Sequence, residues 1–185
     1  AYIGSLAGSS NINKKDGYLN IQEVTASSLT ITGSKNDVDI ANLKSFVVVI
    51  TNEYGAINVQ NCNDTKLTAQ TTNGAINIKG IKNSLNATTM HGSIYAEFET
   101  VAGINNLVGE RNITAKVADN NLFALTTTAK SDNVTVDLGA TNYVGFADIE
   151  ANESGYKTKS EQVNGPSSNS LNIQTDNGAI LVELK

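Results

Sequence analysis

Polar side chains with hydrogen-bonding and aromatic groups recur at regular intervals in this chain, and they are the residues best suited to bind a ligand. The candidate binding residues are Asn20, Asp39, Asn58, Asn77, Tyr18 and Tyr95. Amides and carboxylates form hydrogen bonds with sugar hydroxyls or with a protein loop, and tyrosine adds a flat ring. A row of amides can instead form hydrogen bonds along a stack of strands and serve the structure alone. The sequence leaves both uses open.

Paired carboxylates are the residues that a glycosidase or lyase would need. The best groups are Asp37 with Asp39, and Asp148 with Glu150 and Glu153. Hydrolysis of a glycosidic bond requires two acids that face one groove. The sequence places no further acid and no base reliably beside either group. We therefore predict that the protein is not an enzyme and has no catalytic residues.

Metal and cofactor sites are not expected in this chain. His91 is the only histidine and Cys62 the only cysteine, so neither a histidine cluster nor an internal disulfide can form. His91 occupies a turn position and is expected to be solvent-exposed, whereas Cys62 is expected to be a structural thiol. Asp132 and Asp176 lie in turns, but the glycine-rich calcium-binding nonapeptide is absent.

A repeat of about 19 residues determines where these side chains lie. Its marker is the apolar residue two places after a turn glycine, found at Leu19, Val38, Ile57, Ile76, Ile94, Ile113, Val134 and Ile180. The residue after each marker is usually polar and the next is apolar, which is typical of a strand with one buried face. A second apolar residue precedes most markers by nine places, at Leu29, Val48, Leu67, Leu85, Ile104, Leu125 and Leu171.

Each repeat is therefore predicted to contain two strands and two turns. Asn73-Gly74, His91-Gly92 and Asn177-Gly178 precede the marker strands and are expected to adopt positive φ in tight turns. A constant period indicates that each unit lies on the preceding one. We predict an all-β, two-sheet β-solenoid, or flattened β-helix, with a β-sandwich as the alternative.

The repeat covers nearly the whole chain, so residues 1–185 are expected to form one domain. Residues 157–169 are polar and contain the single proline, Pro166, and we predict an exposed loop insertion there. Residues 179–184 are apolar and are predicted to form an open, poorly capped end that favours self-association.

The net charge of −5 and the absence of basic clusters make nucleic acid an improbable partner. No apolar run is long enough to span a membrane. The low charge and the many asparagine and threonine residues suit a secreted or surface protein.

Two segments of the repeat resemble a known bacterial family. TTNGAINI (residues 71–78) and TDNGAILV (residues 175–182) are similar to the repeat of the bacterial toastrack domains, which carry an adhesin label. The resemblance runs from Leu19 to Leu184, and Gly103-Ile104-Asn105 resembles the signature of the related head domain of auto-transporter adhesins. It implies a right-handed, single-chain β-solenoid on the cell envelope and supplies no catalytic residues. Asn36 and Asp132 depart from the pattern at turn-glycine positions.

We therefore predict a non-enzymatic module of the cell envelope, at the extracellular surface or in the periplasm, that binds a surface glycan or an envelope protein. The alternative is a structural or self-associating scaffold, or a stress-sensing domain. A polysaccharide-acting enzyme is the least favoured hypothesis, because the sequence does not indicate an acidic groove.

Overall fold

Alternation of apolar and polar residues produces β-strands along the whole chain. The computed structural model describes residues 1–147 and 149–185, and no helix occurs within these ranges. In chain order the strands are β1 (Tyr2–Ile3), β2 (Leu6–Ile21), β3 (Val24–Ile40), β4 (Val47–Asn52), β5 (Ile57–Val59), β6 (Lys66–Thr71), β7 (Ile76–Ile81), β8 (Leu85–Thr89), β9 (Ile94–Phe98), β10 (Ile104–Gly109), β11 (Ile113–Val117), β12 (Phe123–Ala129), β13 (Val134–Leu138), β14 (Thr141–Val144), β15 (Lys157–Val163), β16 (Ser170–Thr175) and β17 (Ile180–Leu184).

Parallel strands stack into two layers, which we call the front sheet and the back sheet. The front sheet contains the C-terminal parts of β2 and β3, followed by β5, β7, β9, β11, β17 and β13. The back sheet contains the N-terminal parts of β2 and β3, followed by β4, β6, β8, β10, β16 and β12. One back strand and one front strand make one coil. This parallel stacking confirms the β-solenoid and excludes a β-sandwich, whose sheets are antiparallel.

Stacked aliphatic side chains fill the space between the two sheets. Ile57 of the front sheet lies beside Val38 and Ile76, and Val48 of the back sheet pairs with Leu67. All five side chains are buried. Because strand alternation turns every second residue inward, one apolar residue per coil extends each ladder by one step.

Ile104 is an exception to the predicted ladder. It is 63% exposed, and the core position of that coil belongs to Asn105, which is fully buried. The amide of Asn105 accepts a hydrogen bond from the Leu85 backbone N–H at 2.9 Å and donates one to the Ser170 carbonyl at 3.0 Å. These bonds satisfy the buried polar group. Leu107, three residues after Ile104, takes the next core position.

The last coil in the chain is not the last coil in the stack. Front strand β17 pairs with β11 on one side and β13 on the other, and back strand β16 lies between β10 and β12. The coil of β16 and β17, which comes last in the sequence, therefore lies between the coil of β10 and β11 and the coil of β12 and β13. The prediction that residues 179–184 form an open end is wrong, because β17 is hydrogen-bonded along both edges.

The outer end of the stack is covered by two antiparallel strands. β15 pairs with the exposed edge of β12, and β14 pairs with that of β13. The predicted loop at residues 157–169 is therefore a strand over its first half, and only the segment around Pro166 is irregular. The edge of β12 would otherwise present unpaired backbone groups, and the charged Lys159 and Glu161 of β15 discourage further pairing.

The opposite end of the stack is open along most of β2. Within the described ranges, β1 alone pairs with this edge, at Asn20 and Ile21. Self-association stays a prediction, and the strand edge available for it is β2 instead of β17. Light scattering over a range of protein concentrations tests it, since a strict monomer would contradict it.

The turn glycines are required by close contact between coils. Gly55 has a positive φ of 107°, but Gly74, Gly92 and Gly178 do not, so that part of the turn prediction is wrong. A Cβ atom built on Gly74 would lie 1.8 Å from the carbonyl oxygen of Gly55 in the preceding coil. The same contact recurs between Gly92 and Gly74 at 1.8 Å. The backbones therefore approach too closely for any side chain.

The threonine three residues before the glycine completes this turn. The Thr89 hydroxyl donates to the Gly74 carbonyl at 2.9 Å and accepts from the Gly92 N–H at 3.0 Å. Thr175 makes the equivalent bond to the Gly178 N–H at 3.2 Å. One buried hydroxyl thus links a turn to the preceding coil, which explains the spacing of threonine and glycine in the repeat.

Cys62 lies in a third ladder at a corner of the stack, where it pairs with Leu43, which in turn pairs with Val24. Its side chain is buried and forms no disulfide. Burial raises the pKa of the thiol from 9.0 to about 12, because a thiolate would lose its hydration. The structural role predicted for Cys62 agrees with this position.

Above pH 9.0 we expect wild-type protein to lose stability relative to a Cys62→Ala variant. The unfolded chain releases the thiol proton near pH 9.0, whereas the folded chain retains it until about pH 12. The contribution of the protonated thiol is complete below pH 9.0 and then declines, by up to about 1.4 kcal/mol per pH unit. Urea denaturation of both proteins at about pH 8 and about pH 10.5 measures this. An unchanged difference between them would contradict it.

Candidate functional site

Strand alternation and the register of the front sheet bring five candidate binding residues into one outward-facing row. Asn20 lies beside Asp39, Asp39 beside Asn58, Asn58 beside Asn77, and Asn77 beside Tyr95. Successive members are one strand spacing apart, about 4.8 Å. We call this set the amide row.

Hydrogen bonds connect the amide row along the stack. Asn77 Nδ2 donates to Asn58 Oδ1 at 2.9 Å, and Asn58 Nδ2 donates to Asp39 Oδ1 at 2.5 Å. Tyr18 donates its hydroxyl proton to the other carboxylate oxygen of Asp39, and Asn20 Nδ2 donates to the Tyr18 hydroxyl at 3.2 Å. The structural ladder that the sequence suggested is therefore present. Its members still have unused hydrogen-bonding capacity, because each amide carries two N–H groups.

Tyr18 contacts the amide row through a hydrogen bond to Asp39. The hydrogen bond that it donates to Asp39 raises the pKa of the Tyr18 phenol, because ionisation would remove the shared proton beside a carboxylate. Its side chain is exposed and is not part of the groove described next. Tyr18 therefore acts through Asp39.

An open groove of about 660 Å³ runs along the amide row. Its lining residues are Asn20, Asp39, Ile40, Ala41, Asn58, Val59, Gln60, Asn77, Lys79 and Tyr95. The volume falls within the range of roughly 300 to 1,000 Å³ that is typical of small-ligand sites. Five of the six residues predicted from the sequence thus line a single concave surface.

One end of the groove carries the Tyr95 ring and the Lys79 ammonium, and an ion pair between Glu97 and Lys185 lies next to the ring. The Lys79 ammonium lies 5.6 Å from the centre of the Tyr95 ring, in a cation–π arrangement. Tyr95 donates its hydroxyl to Glu97 at 3.3 Å, and Lys185 forms an ion pair with Glu97 at 2.9 Å. The hydrogen bond from Lys185 lowers the pKa of the Glu97 carboxyl.

The carboxylates considered for catalysis do not form a free pair. Asp39 accepts hydrogen bonds on both oxygens, and Asp37 accepts one from the Ala56 N–H at 2.8 Å. Glu150 and Glu153 are exposed, on a segment without strand structure, and Asp148 lies outside the described residues. The structure therefore does not bring the described members of the two predicted acid groups into one groove.

Residues 1–147 and 149–185 contain no cluster of three or more histidine, cysteine, aspartate or glutamate side chains arranged to hold a metal ion. His91 lies exposed in its turn, as its position in the repeat predicts, and its Nδ1 atom is 2.5 Å from Glu110 Oε2. The prediction of a metal-free protein stays a prediction.

The sequence analysis did not include two residues that line the groove next to the amide row. Gln60 and Lys79 each follow a member of the amide row by two places and line the groove beside it. The signal for them was the period of two along a strand, which turns both residues toward the same side. Lys79 supplies the only positive charge among the lining residues.

Within the described part of the chain, no helix is long and apolar enough to cross a membrane. No curated protein and no solved structure matches the sequence. A family model described as Toastrack DUF4097 matches residues 6–142. The match covers well over half of the chain and agrees with the coiled, glycine-turned repeat, so the protein belongs to the Toastrack DUF4097 family, a domain family of unknown function.

Proposed function

We propose that the protein is a non-enzymatic binding module of the bacterial cell envelope, and that it acts as an adhesin by binding a surface glycan in the groove of the amide row. The observation that carries the proposal is the alignment of Asp39, Asn58, Asn77 and Tyr95 along one open groove. The location at the envelope follows from the resemblance of the repeat to adhesin-labelled domains and from the polar composition of the chain.

The chemistry of the groove suits a carbohydrate better than an apolar ligand. A sugar hydroxyl donates one hydrogen bond and accepts others, and amide groups offer both functions side by side. Asn58 and Asn77 each retain one N–H that the ladder does not use. The Tyr95 ring adds an apolar surface at one end, on which the C–H face of a sugar can pack.

The number and the hydrogen bonding of carboxylates in the groove support binding without catalysis. Two-carboxylate hydrolysis needs a pair of acids about 5 to 9.5 Å apart on either side of the glycosidic bond. Asp39 is the only carboxylate among the groove-lining residues, and it accepts bonds from Asn58 and Tyr18. A single, hydrogen-bonded carboxylate suits the recognition of a hydroxyl group.

A glycan array probed at micromolar protein concentration tests the proposal, and we expect specific retention of wild-type protein. Replacing Asn58 or Asn77 with alanine should weaken that binding by about fivefold to tenfold, since one hydrogen bond contributes about 1 kcal/mol. The binding is compared with that of wild-type protein for the same glycan by titration calorimetry.

An Asn106→Ala variant is the matched control. Asn106 belongs to an equivalent amide ladder on the back sheet, where it donates to Asn86 at 2.6 Å and accepts from Asn172 at 3.1 Å. Its replacement removes the same group from the opposite face and should leave glycan binding unchanged. Absence of any bound glycan, or equal losses in the front and back variants, would contradict the proposal.

A further inference from the structure

Lys79 is the charged residue of the groove that lacks a carboxylate partner. It belongs to an alternating row on the front sheet, in which Lys79 lies beside Glu97, Glu97 beside Lys116, and Lys116 beside Glu183. Lys116 pairs with Glu183 at 2.6 Å, and Glu97 pairs with Lys185 at 2.9 Å. Lys79 is therefore left without an ion pair to any described carboxylate within 4.0 Å.

The position of the Lys79 ammonium is restricted before any ligand arrives. It lies 5.6 Å from the centre of the Tyr95 ring, on the groove side of the strand. Attraction to the negative face of the ring limits the rotamers that the side chain samples. A positioned cation loses less conformational entropy on binding than a freely moving one.

Asp39 determines the direction of every hydrogen bond in the ladder. A carboxylate can only accept, so Asn58 must turn its NH₂ group toward Asp39. The carbonyl oxygen of Asn58 then faces Asn77, which must turn its NH₂ group toward Asn58. Asn58 thus uses its oxygen and one N–H within the row, and Asn77 uses one N–H, so each amide keeps one N–H for a ligand. Beside Lys79, the groove thus offers two amide N–H donors, one from Asn58 and one from Asn77.

We propose that the groove selects acidic saccharides, and that the Lys79 ammonium binds the carboxylate of a uronate-type sugar while the remaining N–H groups of Asn58 and Asn77 donate to its ring and hydroxyl oxygens. This inference rests on the proposed glycan-binding function and names the class of glycan. A uronate supplies a carboxylate at ion-pair distance, which no described carboxylate does for Lys79, and it is rich in the acceptor oxygens that the donors require.

The test compares a panel of uronate tetrasaccharides with their methyl esters, which keep the sugar backbone and lose the charge. Titration calorimetry at low ionic strength should give affinities roughly tenfold or more in favour of the free acids, because a charge-assisted hydrogen bond is lost on esterification. Lys79→Gln should abolish this preference, and added salt should reduce it.

Lys66→Gln is the matched control. Lys66 also lies 5.6 Å from an aromatic ring, that of Phe46, but it belongs to β6 on the back sheet. The two variants therefore lose the same charge from the same type of contact. Lys66→Gln should retain the preference for the acids. A tetraglutamate peptide provides a carboxylate source without sugar and should bind more weakly than the uronates.

Equal affinities for acids and esters, or a preference that survives Lys79→Gln, would overturn this inference and leave the glycan-binding proposal intact. Tetraglutamate binding as tight as that of the uronates would overturn the assignment to saccharides. Failure of every acid and every ester to bind, together with an array without bound glycans, would overturn both proposals.

Discussion

A Gly74→Ala variant is expected to lose most or all of its folded population. The added Cβ would lie 1.8 Å from the Gly55 carbonyl oxygen and 2.5 Å from the Gly55 carbonyl carbon. Both are backbone atoms within the stack, so neither can move aside without separating two coils. Separation would break the ladder hydrogen bonds and open the core between them. A cost of about 4 kcal/mol or more is comparable with the whole stability of an ordinary domain.

Thermal or urea denaturation followed by circular dichroism measures this loss, with Gly4→Ala as the control. Gly4 has no atom within 4 Å of its added Cβ and no positive φ, so the same substitution should change stability little. Gly92→Ala should resemble Gly74→Ala, because its Cβ would lie 1.8 Å from the Gly74 oxygen. Stability of both turn variants close to wild type would show that the coils are farther apart than the structure has them.

Removal of residues 170–185 should detach the outer end of the stack from the rest of the solenoid. This segment forms β16 and β17, which lie between the coil of β10 and β11 and the coil of β12 and β13. Its inward side chains Leu171, Ile173, Ile180 and Val182 are at most 1% exposed. At about 1.5 to 3 kcal/mol each, their loss removes roughly 6 to 12 kcal/mol of apolar burial.

Hydrogen exchange measures the effect by comparing amide protection in β12 and β13 with that in β4 to β7. We expect rapid exchange in the former and retained protection in the latter, since the inner coils keep their neighbours. Removal of residues 1–3 is the control, because β1 pairs only with Asn20 and Ile21 and should cost little. Retained protection of β12 and β13 would contradict this expectation. It would mean that, without β16 and β17, these strands pair directly with β10 and β11.

The inserted coil also shows how far a repeat can be interpreted from sequence. Ile113, Val134 and Ile180 occupy the same position in their units, and each is buried as the period predicts. The period states that these residues lie in one ladder. It does not state their order, because a parallel strand with apolar residues at every second position can pair with any other strand of the same pattern. The interval between Val134 and Ile180 is the longest between successive markers.

The candidate site was accessible to prediction for a related reason. Asn58 and Asn77 follow equivalent markers, so strand alternation places them outward and the period places them side by side. The groove itself was not predictable. It is lined by Lys79 and Tyr95 of neighbouring strands, which meet in a cation–π contact. Glu97, the hydrogen-bond partner of Tyr95, forms its ion pair with Lys185, far away in the sequence.

By itself, the sequence determined the strands of the repeat, the buried ladders, the outward amide row and the solenoid, because each follows from local alternation and a constant period. The tertiary structure alone decided the order of the last two coils and the antiparallel cover of the outer end. It also decided the close approach of neighbouring coils that requires glycine in the turns. It also decided that Lys79 lies in the groove without an ion pair to a described carboxylate. These features depend on contacts between residues far apart in the chain, such as Asn106 with Asn172. Such contacts form only when the folded chain places the two strands side by side, and the local sequence pattern does not specify which strands become neighbours.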